Sequence, residues 1–257
     1  MRALLALAIL LAAAAGAAAQ QGPAPPGPLQ DQPAPPREAA PADPAQSVVL
    51  IFSHGTYRPQ RRHQCNEEKD VPAVVRDLAA ANGWSVHYLC SAATDDGIDG
   101  SYTYKRADEI LAAVAAQRAR GVPAQRIFLL GHSAGGWSSL MAARKDASGF
   151  NAVVAFAPAF AGPRHEEAQY PKWRRQLAPQ QTAYIRQAKH IDALIFAYSD
   201  DDFDRPAELA PLESIPGVRV LAFDACQRGH GTTYSGCFRE GAKVEIEDYI
   251  KTRLKAH

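Results

Sequence analysis

Residues 126–145 read RIFLLGHSAGGWSSLMAARK, and the order of residue types within them decides the fold. Arg126 to Leu130 is an apolar run of strand length, and Ala134 to Lys145 has the composition of a helix. Between them stands Gly131-His132-Ser133-Ala134-Gly135-Gly136, so the strand must become a helix within one tight turn. A turn that sharp strains the backbone at its apex, and flanking glycines leave room for neighbouring main chain. Ser133 at the apex would hold its Oγ above the sheet edge, beside a helix N-terminus whose partial positive charge favours a developing anion. The Gly-x-Ser-x-Gly pentapeptide alone is a common coincidence in a chain of 257 residues. Its seat between strand and helix carries the reading.

Outward from this turn, apolar runs alternate with helix-like stretches. Upstream lie a strand at Ser47–Ser53, a helix at Val71–Ala81 stopped by Asn82-Gly83, and a strand at Trp84–Cys90. A helix at Lys105–Arg120 follows, ended by Gly121 before Pro123. Downstream come strands at Ala152–Phe156, Ala193–Tyr198 and Val218–Phe223. A last helix is expected from Cys237 or Phe238 to Leu254, with Val244, Ile246 and Ile250 pointing inward. Strands separated by helices imply right-handed crossovers. The expected class is α/β, a mostly parallel central sheet of about six strands with helices on both faces. Residues 157–192 interrupt the rhythm and read as an insertion at a strand's C-terminal end, over the site.

The N-terminal part follows other rules. Arg2, the apolar run Ala3 to Ala15 and the small residues Ala17-Ala18-Ala19 have the order of a signal peptide over residues 1–19. The run is followed at once by polar, Pro-rich sequence, so no membrane span is expected after processing. Residues 20–46 hold nine of the nineteen prolines and read as an extended tether without a core. The foldable domain is then 47–257, in a secreted or periplasmic protein. Export gives Cys65, Cys90, Cys226 and Cys237 the meaning of disulfides, and local closure favours Cys65–Cys90 with Cys226–Cys237. No C-x-x-C pair or clustered Cys/His spacing supports a metal site. A net charge of +1 gives no electrostatic reason to expect nucleic acid as partner.

A serine hydroxyl needs a base to take its proton and an acid to orient that base. In a strand-turn-helix nucleophile the partners follow in the order Ser, Asp or Glu, His. Of the histidines after the later strands, His257 is terminal, whereas His230 sits in the glycine-flanked Arg228-Gly229-His230-Gly231. The acid belongs just past the preceding strand, where Ser199-Asp200-Asp201-Asp202-Phe203-Asp204 offers four carboxylates. Consecutive aspartates diverge and cannot share one Ca²⁺, so the surplus carboxylates are taken as solvated. Backbone N–H donors for an oxyanion are expected from Ala134 and, in the loop Ser53-His54-Gly55-Thr56-Tyr57, from Thr56, with His54 bracing that loop.

With Ser53-His54-Gly55-Thr56, Gly131-His132-Ser133-Ala134-Gly135-Gly136, the aspartate loop and His230 in place, the chain from Ser47 onward resembles an α/β-hydrolase. It is similar to the compact dienelactone-hydrolase-like branch of esterases and lipases, with serine in place of that enzyme's cysteine. The family's acid loop often reads Gly-x-x-Asp-Pro; laying Ser199 on that Gly selects Asp202, with Asp201, Asp200 and Asp204 as alternatives. His-Gly-Thr departs from the His-Gly-Gly-Gly of hormone-sensitive-lipase relatives. The resemblance implies acyl transfer to Ser133 and hydrolysis of a small-molecule or acyl ester, without metal or organic cofactor. A serine peptidase or amidase on the same fold, and a non-catalytic binding protein that keeps it, are the alternatives. Tyr57, Trp137, Phe160 and Trp173 are the aromatics expected near the substrate.

Overall fold

The computed structural model describes residues 43–56, 65–93, 100–169 and 171–256. The signal-peptide reading and Tyr57 fall outside them, as does most of the tether. Six strands form one all-parallel sheet: β1 (Val49–Ser53), β2 (Ser85–Leu89), β3 (Ile127–His132), β4 (Ala152–Phe156), β5 (Ala193–Ala197) and β6 (Val218–Ala222). Their spatial order is β2-β1-β3-β4-β5-β6, so the chain starts mid-sheet, builds one edge, crosses back, and then adds strands outward. The helices are α1 (Glu67–Asp70), α2 (Ala73–Asn82), α3 (Tyr102–Ala119), α4 (Ala134–Lys145), α5 (Ala178–Ile185), α6 (Pro206–Leu209), α7 (Gly236–Gly241) and α8 (Lys243–Lys255).

The central strands are buried on both faces, which is why they read as unbroken apolar runs. Successive residues of a strand face opposite ways, and two separate cores follow from that. Val49, Ile51, Ile127, Leu129, Val153, Ala155, Ala193 and Ile195 meet α3 and α4 through Ile110, Val114, Leu140 and Met141. Leu50, Phe52, Phe128, Leu130, Val154, Phe156, Leu194 and Phe196 meet α2, α7 and α8 through Val74, Leu78, Phe238, Ile246 and Ile250. Helices therefore cover both faces of the sheet, as expected.

Two expectations need correction. Asp43 to Gln46 do not belong to a tether: they turn back on themselves, and Arg126 donates to the Gln46 carbonyl at 2.7 Å. The last helix is two helices, broken at Ala242. The inward stripe is Ala242, Ile246 and Ile250, each four residues apart and fully buried. Val244, half a turn away, is 66% exposed rather than inward.

Both cysteine pairs form as local closure suggests, Cys65–Cys90 and Cys226–Cys237, with Cα separations of 5.7 and 5.9 Å. Among the described residues no helix is long and apolar enough to cross a membrane.

This stripe sets a sharp contrast in stability. Ile246→Ala should cost about 2–5 kcal/mol as a cavity in the core, whereas Val244→Ala should stay within about 0.5 kcal/mol. Urea denaturation of the two variants checks this; equal losses would overturn this assignment of the inward face.

Candidate active site

The turn after β3 has the strain that its sequence implies. Ser133 lies at φ 55°, ψ −124°, a region that residues with a side chain rarely occupy. Its backbone is held from two sides. The Ser133 N–H donates to the Phe156 carbonyl at the end of β4 (2.9 Å), and its carbonyl accepts from Trp137 (2.9 Å) and Ala159 (3.2 Å). The glycines are demanded by space. A Cβ on Gly135 would fall 2.0 Å from the Ser53 carbonyl oxygen, and one on Gly131 would lie 2.5 Å from the carbonyl carbon of Gly135. Main chain thus packs on main chain, and the end of β1 comes against α4.

His230 reaches this serine from a short 3-10 turn after β6. Its Nε2 lies 2.8 Å from Ser133 Oγ, and its Nδ1 lies 2.8 Å from Asp201 Oδ2. A fully buried carboxylate on Nδ1 places the ring proton there, which leaves Nε2 as the acceptor for the serine hydroxyl. Serine, imidazole and carboxylate are therefore linked in the order and tautomer that proton abstraction requires.

The expected acid, Asp202, is displaced by its neighbour. The Asp201 N–H closes a tight turn onto the Tyr198 carbonyl (3.1 Å), so the inward-pointing carboxylate is reached one residue earlier than the family spacing laid on Ser199 suggests. The other three aspartates have distinct partners. Asp200 Oδ2 accepts from the Gly229 N–H at 2.7 Å, next to His230. Asp202 pairs with the exposed His165. Asp204 is buried against Arg174 at 3.2 Å, and burial pushes its carboxyl up to about 6 against the pull of that guanidinium. They are not simply solvated.

Around the relay stand residues to which no sequence signal assigned a role. His132 is buried with its Nε2–H donating to the His230 carbonyl (3.1 Å), its ring 4.8 Å from that of His230. Burial, and then the neighbouring His230, holds its pKa down at about 3, so it is a neutral donor. Phe203 stacks on His230 with ring centroids 4.0 Å apart. Arg106, fully buried in α3, donates to the His54 carbonyl (2.8 Å), the Ala93 carbonyl (2.7 Å) and Ser91 Oγ (3.1 Å). The Ser91 N–H in turn donates to His54 Nε2 (3.1 Å). His54 thus braces the loop after β1, and Arg106 anchors that brace.

That loop abuts the serine. A Cβ on Gly55 would lie 3.3 Å from Ser133 Cβ, and Thr56 follows directly. Ala134 opens α4, so its N–H is among those a helix leaves without an internal partner. Trp137, Phe160 and Trp173, expected to face substrate, are buried instead. The Trp137 indole donates to Gln181 of α5 (2.8 Å), and Phe160 rests between the rings of Trp137 and Trp173. These aromatics fasten the 157–192 insertion to α4. Among the described residues there is no group of three or more His, Cys, Asp or Glu that could hold a metal ion.

An all-parallel sheet with a strained serine between β3 and α4, an aspartate after β5 and a histidine after β6 defines the arrangement. The chain has the α/β-hydrolase fold. A family model described as serine aminopeptidase, S33, matches residues 103–210, which hold Ser133 and Asp201 and stop before His230. No curated protein sequence matches the chain. Among solved structures, the α/β-hydrolase chain is similar to Est1E from Butyrivibrio proteoclasticus at 15% identity and TM-score 0.59, covering 84% of this chain and 91% of that one. It is similar to a Mycobacterium tuberculosis puromycin-hydrolyzing peptidase at 17% identity and TM-score 0.60, covering 81% of this chain but 35% of the peptidase. The metagenome-derived lipolytic enzymes LipS and LipT provide a third match, at 15% identity and TM-score 0.53, covering 82% and 96%.

His132 supplies a prediction free of any substrate. Its imidazole resonances should not move as the pH falls from about 8 to about 4, because the folded chain holds it neutral. An unfolded histidine protonates near 6.5. Stability should therefore decline as the pH drops below about 6.5 towards 3, the unfolded state being the one that takes the proton. NMR titration of the histidine side chains checks this, and a midpoint near 6 for His132 would overturn it.

Proposed function

We propose that this chain is a secreted serine hydrolase that cleaves a carboxylic ester through an acyl-enzyme on Ser133. The observation that carries the reading is the unbroken relay from Ser133 Oγ to His230 to Asp201, both links at 2.8 Å. His230 Nε2 takes the hydroxyl proton as Ser133 Oγ attacks the carbonyl carbon, and Asp201 stabilises the resulting imidazolium. The N–H groups of Ala134 and Thr56 receive the tetrahedral oxyanion. His230 then gives its proton to the leaving alcohol oxygen. Water, deprotonated by the same ring, attacks the acyl carbon and restores Ser133.

Ester over amide is favoured by the comparison of lengths. The esterase and lipolytic relatives are matched over nearly their whole chains, while the peptidase is matched over about a third of its own. The serine-peptidase reading has one specific observation behind it, the description of the family model that matches residues 103–210. Export is supported by the two disulfides and by the N-terminal pattern of residues 1–19.

A fluorophosphonate probe should label Ser133 stoichiometrically, and Ser133→Ala should lose labelling and about 10⁴-fold or more of p-nitrophenyl acetate turnover. Asp201→Asn should lower kcat about 10³- to 10⁴-fold, while Asp202→Asn stays within about threefold, since Asp202 does not touch His230. An intact-mass spectrum without the adduct would end the nucleophile reading. A paired series of acyl esters and aminoacyl amides separates the two substrate classes, the esters being turned over faster.

A further inference from the structure

Phe203 is engaged through every part of its structure, each time with a component of the site or its frame. Its N–H donates to Asp201 Oδ1 at 2.7 Å, fixing the carboxylate whose other oxygen meets His230. Its ring lies 4.0 Å from the His230 ring, centroid to centroid, at an interplanar angle of 28°. Its carbonyl accepts from Arg174, a guanidinium that also grips the buried Asp204 at 3.2 Å. Arg174 belongs to the turn Trp173–Leu177 that leads into α5, and Trp173 and Leu177 of the same turn are buried in the core. The Phe203 backbone is thus held by a segment that is itself packed.

A histidine that hands a proton from serine to leaving group must keep its plane while its charge changes. Hydrogen bonds at Nδ1 and Nε2 oppose rotation of the ring about Cβ–Cγ only within the range of angles that each bond tolerates. A near-parallel aromatic face at van der Waals distance opposes that rotation in both charge states, and attracts the imidazolium once it forms. His132 cannot substitute: its ring is tilted 48° to His230 and its hydrogen bond goes to the His230 backbone.

We propose that Phe203 is a positioning residue for the reaction, setting the plane of His230 by stacking and the orientation of Asp201 through its amide, with Arg174 of the 157–192 insertion locking it in place. The kinetic part rests on the serine-hydrolase reading; the ring geometry does not.

The test uses the whole mature chain and two readouts. Phe203→Leu and Phe203→Met keep an apolar side chain and the backbone amide but lose the flat face; Phe203→Tyr keeps the face. With circular dichroism unchanged, the Leu and Met variants should lose about 10- to 100-fold in kcat towards p-nitrophenyl acetate, with KM within about threefold, and the Tyr variant should recover wild-type kcat. In proton NMR, the low-field signal of the His230 Nδ1–H, assigned by its absence in His230→Ala, should broaden in Leu and Met and stay sharp in Tyr. A sharp, unmoved signal together with kcat within twofold in both apolar variants would overturn the proposal. Equal damage by Tyr would overturn the role of the flat face. If the wild type turns over no ester or amide while the signal still broadens in Leu and Met, the hydrolase reading fails and the positioning of His230 stands.

Discussion

The contact on which the site depends is between two stretches of main chain, Gly135 at the start of α4 and Ser53 at the end of β1. No side chain fits between them, since even a methyl group on Gly135 would overlap the Ser53 carbonyl. This closeness lets α4 begin directly behind the sheet edge, and a helix so placed can be entered from β3 only through the left-handed turn at Ser133. Strain of that kind costs about 1–3 kcal/mol and persists only where the surroundings impose it. Here they do, through hydrogen bonds from Ser133 to the ends of β4 and α4 and through the glycines around it. The seat of Ser133 at the C-terminal edge of the sheet thus follows from how tightly the sheet and helix pack.

With the serine held this way, the rest of the site has to come to it along the C-terminal edge of the sheet. β5 and β6 deliver Asp201 and His230 from adjacent loops, as their parallel neighbouring register requires. The histidine is defined by its contacts from several directions: serine and carboxylate in the ring plane, Phe203 against its face, and His132 on its backbone carbonyl. Because His132 stays neutral, His230 has a fixed donor beside it without a second positive charge next to its ring. His132 is next to Ser133 in sequence and His230 lies far downstream, and environment separates their roles.

Much of this was legible because it is local or periodic. The four central strands stand out as runs buried on both faces, α4 begins and ends where its composition says, and Ser133 and His230 have glycines close by in sequence. What could not be read depends on phase. The acid loop packs four aspartates into five positions, and which one points inward is set by where the turn closes; it closes on Tyr198, so a template laid on Ser199 lands one residue late. The same kind of error misplaces Val244, which lies half a turn from Ile246 in one helix and so cannot share its inward face. Trp137, Phe160 and Trp173 were drawn to the substrate by composition, whereas burial against the insertion claims them. Arg106 had no signal at all, because a charge in a helix reads as solvent-facing until a fold buries it among carbonyls.

The two disulfides fit the same division between sheet and loops. Cys226–Cys237 closes a loop that contains His230, and Cys65–Cys90 closes the segment that runs on from Thr56 and ends beside Ser91. Neither is needed to join the two cores, which α2, α3, α4 and α8 already seal against the sheet. Loops at the end of a parallel sheet lack the ladder of hydrogen bonds that holds the strands, so their geometry must come from somewhere else. Here it comes from covalent closure on the histidine side, from Arg106 and His54 on the side of the β1 loop, and from Arg174 at the acid loop. These groups act through the backbone of the loops that carry the site residues, which is how a rigid sheet edge can hold three separate loops in the geometry that proton transfer demands.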